Sequence, residues 1–137
     1  MEPAQVADRI EINDVITAYT RAVDTADWES LREVFTADAV IDYSSAGGPI
    51  GSLDEVIPFI KNMEGFERWQ HVIGQIAVAF DGDHAQATAY FINPMVAKAP
   101  DGSEVVWEVG GYYHHDLVRT PSGWRSAKMV DELVWSR

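Results

Sequence analysis

The hydrophobic period of this chain changes near Trp69, and a fold must satisfy both halves. Over residues 4–24, Ile12, Val15, Ile16, Tyr19 and Val23 recur at i, i+3, i+4, i+7 and i+11, one stripe of an amphipathic helix. Thr25 or Asp27 can cap a second helix, whose Trp28, Leu31 and Phe35 share a face before Asp38 stops it, so an αα-hairpin is expected. Residues 39–43 form a short strand candidate, and Ser45-Ala46-Gly47-Gly48-Pro49 has the chemistry of a loop. Ser52 and Glu55 stand at capping-box spacing ahead of Val56, Ile57, Phe59, Ile60 and Met63, which predicts a third helix with Pro58 in its first turns or kinking it.

From Trp69 onward, strand-like runs alternate with turn signals. Residues 70–80, 84–97, 104–120 and 124–135 are strand candidates, separated by Asp81-Gly82-Asp83, by Ala99-Pro100-Asp101-Gly102-Ser103 and by Pro121-Ser122-Gly123. Helices first and a four-strand meander after predict an α+β domain spanning residues 1–137, with one face of a curved antiparallel sheet packed on helices. Such a cone can enclose a cavity. On the strand at 104–120, the odd residues from Val105 through Trp107, Tyr113 and His115 to Leu117 share the more apolar face, so Tyr113 and His115 point inward unless a bulge swaps them.

The 137 residues suit one domain, and 47% hydrophobic with 23% charged residues is the balance of a globular chain. A net charge of -12 repels phosphate backbones and anionic membranes, which argues against nucleic-acid and membrane partners. The absence of cysteine excludes disulfides, thiolate metal sites and a cysteine nucleophile. With no signal-peptide pattern at the N-terminus and no apolar run near the ~18 residues of a membrane span, a cytoplasmic location is expected. No GxGxxG, phosphate loop, GxSxG elbow or HExxH occurs, so dinucleotides, nucleoside triphosphates, α/β-hydrolase chemistry and a close metal-ligand set lack support.

His71 lies in the apolar run Trp69-Gln70-His71-Val72-Ile73. Its plainer reading is a core histidine satisfied by a backbone carbonyl; its sharper one is a general base. Asp24 sharpens the second reading, because a carboxylate at the end of a helix faces the negative end of the dipole. It can start the next turn, or it can hold one ring nitrogen of a histidine and balance the imidazolium. Tyr19, five residues before Asp24, and Tyr43, at the end of the short strand, can present hydroxyls to a carbonyl or leaving group, or lie at a rim with the hydroxyl in water.

The ordered segments Ala22-Val23-Asp24-Thr25-Ala26-Asp27-Trp28, Phe35-Thr36-Ala37-Asp38-Ala39, Gln70-His71, Gly110-Gly111-Tyr112-Tyr113 and Gly123-Trp124-Arg125 resemble the SnoaL-like branch of the nuclear transport factor 2-like superfamily. The resemblance implies three helices on a curved sheet around a deep pocket, used by dehydratases, isomerases, cyclases, epoxide hydrolases, dehydrochlorinases and noncatalytic binders. Most of its catalytic members use no cofactor, and dimers are common. Tyr19, Asp24 and His71 match the eliminating residues of bile-acid 7α-dehydratases, whose further acid falls near Met95 here. Asp24, Tyr43 and His71 match scytalone dehydratases, whose other tyrosine falls at Val23 and second histidine near Pro94-Met95. Lindane dehydrochlorinases share the Asp24 and His71 pair, but their lysine and arginine fall at Tyr19 and Met129, which argues against their substrate.

The resulting expectation is a cofactor-independent, metal-free lyase, a dehydratase acting on a hydrophobic polycyclic, steroid-like or polyketide-like small molecule, with a homodimer as its assembly. His71 is the base, Asp24 its orienter, and Tyr19 or Tyr43 the group that handles oxygen. Asn93, Met95, Tyr113, His115 and Met129 are expected on the pocket wall. The same dyad also suits an isomerase or polyketide cyclase. Epoxide opening is disfavoured for want of a second buried acid, and a binding or dimerisation module with a structural dyad is the alternative outside enzymes.

Overall fold

The computed structural model describes residues 1–137. Helix α1 (Pro3–Asp24) begins with Pro at its first position, where no amide hydrogen is needed. It buries the predicted stripe: Ile12, Ile16, Tyr19 and Val23 are all nearly solvent-free, and each aliphatic side chain contributes roughly 2 kcal/mol on burial.

The expected second helix is a single 3₁₀ segment, Trp28–Glu33. The chain leaves it early because Phe35 is drawn into strand β1 (Phe35–Asp42), which starts earlier than the sequence suggested. Strand β1 pairs with the last strand of the sheet in parallel, an exception to the expected antiparallel pattern. A 3₁₀ turn at Ser44–Ala46 and the short strand β2 (Ile50–Gly51) follow. Helix α2 (Leu53–Ile60) carries both halves of the Ser52 and Glu55 capping box, with Pro58 inside it, and tightens into a 3₁₀ turn at Lys61–Gly65.

The remaining strands are β3 (Arg68–Trp69), β4 (Val72–Asp81), β5 (His84–Lys98), β6 (Glu104–Thr120) and β7 (Gly123–Ser136). The predicted meander is present, with β4 to β7 pairing in succession and antiparallel. Gly82, at φ +60°, supplies the positive dihedral that the two-residue turn between β4 and β5 requires. Gly111 sits at a register shift of β6 against β7, where an added Cβ would lie 1.9 Å from the Glu132 carbonyl oxygen. The helices cover the concave face of the sheet, which gives the α+β architecture that the sequence predicts. No helix is long and apolar enough to cross a membrane.

Candidate functional site

A cavity of about 360 Å³ opens between the end of α1, the α2 segment and the wide end of the sheet. Fourteen of its 19 lining residues are hydrophobic, and none is Lys or Arg. That size and lining suit a small apolar ligand.

The placement of His71 begins at the end of α1. Ala26 N–H donates to the Val23 carbonyl and Asp27 N–H to the Ala22 carbonyl, the paired bonds of a Schellman closure. Ala26 takes the left-handed conformation, φ +54°, that such a closure demands and that glycine adopts more easily. This fixes Asp24 as the last helical residue.

His71 lies in the two-residue break between β3 and β4, not within a strand. The Asp24 carboxylate grips it twice: Oδ1 lies 2.6 Å from His71 Nδ1, and Oδ2 accepts the His71 backbone N–H at 2.9 Å. The His71 side chain is only 4% exposed and lines the cavity. With Nδ1 engaged, Nε2 is the nitrogen left to act on a ligand, and the carboxylate favours the tautomer in which Nε2 carries no proton.

Tyr19 and Tyr43 share a hydrogen bond between their hydroxyls at the same cavity. Tyr113 packs edge-on against Tyr19 at 5.1 Å and stacks on Phe91 at 4.1 Å between centroids. Burial pushes the hydroxyls of Tyr19, Tyr43 and Tyr113 well above the usual phenol range, so they remain neutral donors at physiological pH. No group of three His, Cys, Asp or Glu side chains is placed to hold a metal ion.

A SnoaL-like domain model matches residues 4–130. The chain belongs to the SnoaL-like family. An uncharacterized protein of Mycobacterium tuberculosis is 36% identical over 135 residues, which cover 98% of this SnoaL-like chain and 90% of the relative. Two solved structures share the fold at lower identity. A candidate scytalone dehydratase from Novosphingobium aromaticivorans matches with TM-score 0.85 and 14% identity, over 100% of this chain and 91% of its own. A hexachlorocyclohexane dehydrochlorinase matches with TM-score 0.81 and 13% identity, over 97% and 89%.

In the SnoaL-like cavity, Tyr19, Tyr43 and His71 come together with Asn93, Met95 and Tyr113, and Asp24 stands behind His71. His115 and Met129 do not line it. Both point inward, as strand parity requires, but they pair with each other across β6 and β7 deeper in the core, where each is at most 1% exposed. His115 Nδ1 is 2.9 Å from Ser126 Oγ, and burial, with His114 adding, pushes its imidazole down to about 4.

The one acid on the cavity wall was not anticipated from the sequence. Asp131 on β7 lines the wall and is 5% exposed. Its signal was available: Met129, Asp131 and Leu133 share a face by the period of two. Asp131 is the second buried acid whose expected absence disfavoured epoxide opening.

Proposed function

We propose that this SnoaL-like chain is a lyase that needs no cofactor and eliminates water from a hydrophobic, steroid-like or polyketide-like hydroxy ketone. The observation that carries this reading is the double grip of Asp24 on His71 at the wall of an apolar cavity that also holds the Tyr19 and Tyr43 hydroxyls. His71 Nε2 takes a proton from a carbon beside a carbonyl, and Asp24 balances the imidazolium that results. The C–H electron pair becomes the new C=C bond as the C–O bond to the β-hydroxyl breaks. A tyrosine hydroxyl donates to the carbonyl oxygen as charge develops there. The departing hydroxide takes the proton from the imidazolium and leaves as water, which restores the base.

If the carbanion is reprotonated or attacks a second carbonyl, the same dyad isomerises or cyclises instead. The open cavity and the contact of His71 with Asp24 favour this reading over a binding or dimerisation module with a structural dyad. The decisive experiment is a mass-spectrometric screen against hydroxylated polycyclic ketones, with wild type beside His71→Ala and Asp24→Asn. Loss of water that depends on both residues is expected, and equal turnover by the three proteins would refute the dyad.

A cytoplasmic homodimer accompanies this proposal. Support for the dimer comes from the convex sheet face, where Val72, Tyr90, Ile92, Val134 and Trp135 are all more than a third exposed, an apolar cluster of the kind that marks association surfaces.

A further inference from the structure

Asp131 is unlike the other acids that contact the interior. Asp24 is held by His71, and Asp8 by Arg119 and Trp124. Asp131 Oδ1 is buried with no hydrogen-bond partner. The groups facing it offer no cation. From α1 comes Tyr19; from β1 and the turn after it, Asp42 and Tyr43; from β6, its cross-strand partner Tyr113. His71 is the remaining titratable residue on the cavity wall. An ionised carboxylate here would be desolvated and without a counter-charge, an arrangement that proteins avoid by keeping the proton. Burial first, and then the Asp42 carboxylate, push the Asp131 carboxyl up to about 7.

A protonated carboxyl without a protein acceptor is a donor awaiting one. On β5, Asn93 also lines the cavity with its Oδ1 buried and unpartnered. Two unsatisfied polar groups on a mostly apolar wall fit a ligand that brings its own oxygen atoms. We propose that Asp131 is a neutral carboxylic acid that donates a hydrogen bond to a carbonyl or hydroxyl oxygen of an uncharged ligand, so that the cavity selects neutral keto or hydroxy compounds and rejects anionic ones. This selection concerns binding and holds whether or not His71 performs the elimination proposed above.

The test uses 1-tetralone as a neutral probe and 1-naphthoate as an anion of similar size, with binding measured calorimetrically across the neutral range. Wild type should bind 1-tetralone and bind 1-naphthoate at least about tenfold more weakly. Affinity for 1-tetralone should fall as pH rises through the neutral range. Asp131→Asn, which keeps a donor, should retain binding and lose that pH dependence. Asp131→Leu, similar in size without a donor, should bind about tenfold more weakly. In parallel, the carbon-13 carboxyl resonance of ligand-free wild type, assigned by its absence in Asp131→Asn, should titrate near neutrality.

A carboxyl resonance that titrates in the ordinary aspartate range would overturn the proposal. So would undiminished binding by Asp131→Leu, a pH dependence that survives in Asp131→Asn, a preference for the anion, or no binding of 1-tetralone by wild type. Because no turnover is measured, these outcomes are separate from those of the dehydration screen.

Discussion

Replacing Asp131 with Asn should change how stability depends on pH. The folded carboxyl titrates at about 7, whereas an unfolded aspartate titrates near about 3.9. A folded value above the unfolded one means that the native state keeps a proton the unfolded chain has released. The stabilising contribution is complete below the unfolded value and is lost as pH rises through the folded one. Somewhat less than one proton is linked over the two pH units from about 4.5 to about 6.5, which corresponds to about 2 kcal/mol. At 5% exposure, Asp131 has little solvent to screen this effect.

His115 has the opposite linkage. Its folded value of about 4 lies below the ordinary imidazole value, so the unfolded state binds the extra proton and stability rises with pH over the same window. The two slopes oppose each other in the wild type. Subtracting the wild-type profile from that of Asp131→Asn removes His115 and every surface carboxylate, leaving the Asp131 contribution. Urea denaturation should show Asp131→Asn gaining about 2 kcal/mol relative to wild type between the acidic and the near-neutral condition, at equal m-values. Profiles parallel to within about 0.5 kcal/mol would refute the claim that Asp131 is buried in its protonated form.

Asp24→Asn retains one acceptor but presents an amide nitrogen either to the His71 backbone N–H or to Nδ1; nitrogen-15 NMR should show the Nδ1–H tautomer of His71 in the wild type and its loss in the variant. A dehydration activity found by screening should fall by about 10²–10⁴-fold, as when a base loses its orienting carboxylate. Gly111→Ala drives a Cβ to 1.9 Å from the Glu132 carbonyl oxygen, which belongs to backbone and cannot rotate away, so denaturant melts should show a loss of about 2–3 kcal/mol or more. If the proposed homodimer forms through the convex face, Trp135→Asp should shift it to monomer in light scattering; an unchanged mass would remove that face as the dimer contact.

Much of the architecture was written locally. The stripe from Ile12 to Val23 and the Ser52 and Glu55 box depend on neighbours within a turn or two, and both are present as predicted. The four long strands were also legible, because Gly82 and the Pro and Gly clusters punctuate them. What failed depended on distant partners. Residues 34–38 have helical spacing to Phe35, yet Ser126 N–H donates to the Val34 carbonyl and β7 claims the segment as strand. For the site, parity identified which way His115, Met129 and Asn93 point, but not how far along the cone each lies. Asp131 was lost among the polar residues Lys128 and Glu132, since a lone acid in a strand reads as surface until its face is checked against Met129 and Leu133.

The double grip of Asp24 on His71 has an implication for how such a site can be remodelled. His71 takes its position from the last turn of α1 and a break in the sheet edge. The bulky groups that shape the opening, such as Phe59, Met63, Phe66 and Trp107, come from other elements. Changing those side chains would recut the mould without shifting the tool that works inside it. A designer could therefore exchange one apolar guest for another by editing α2 and β6, while leaving the His71 imidazole where the helix end has set it.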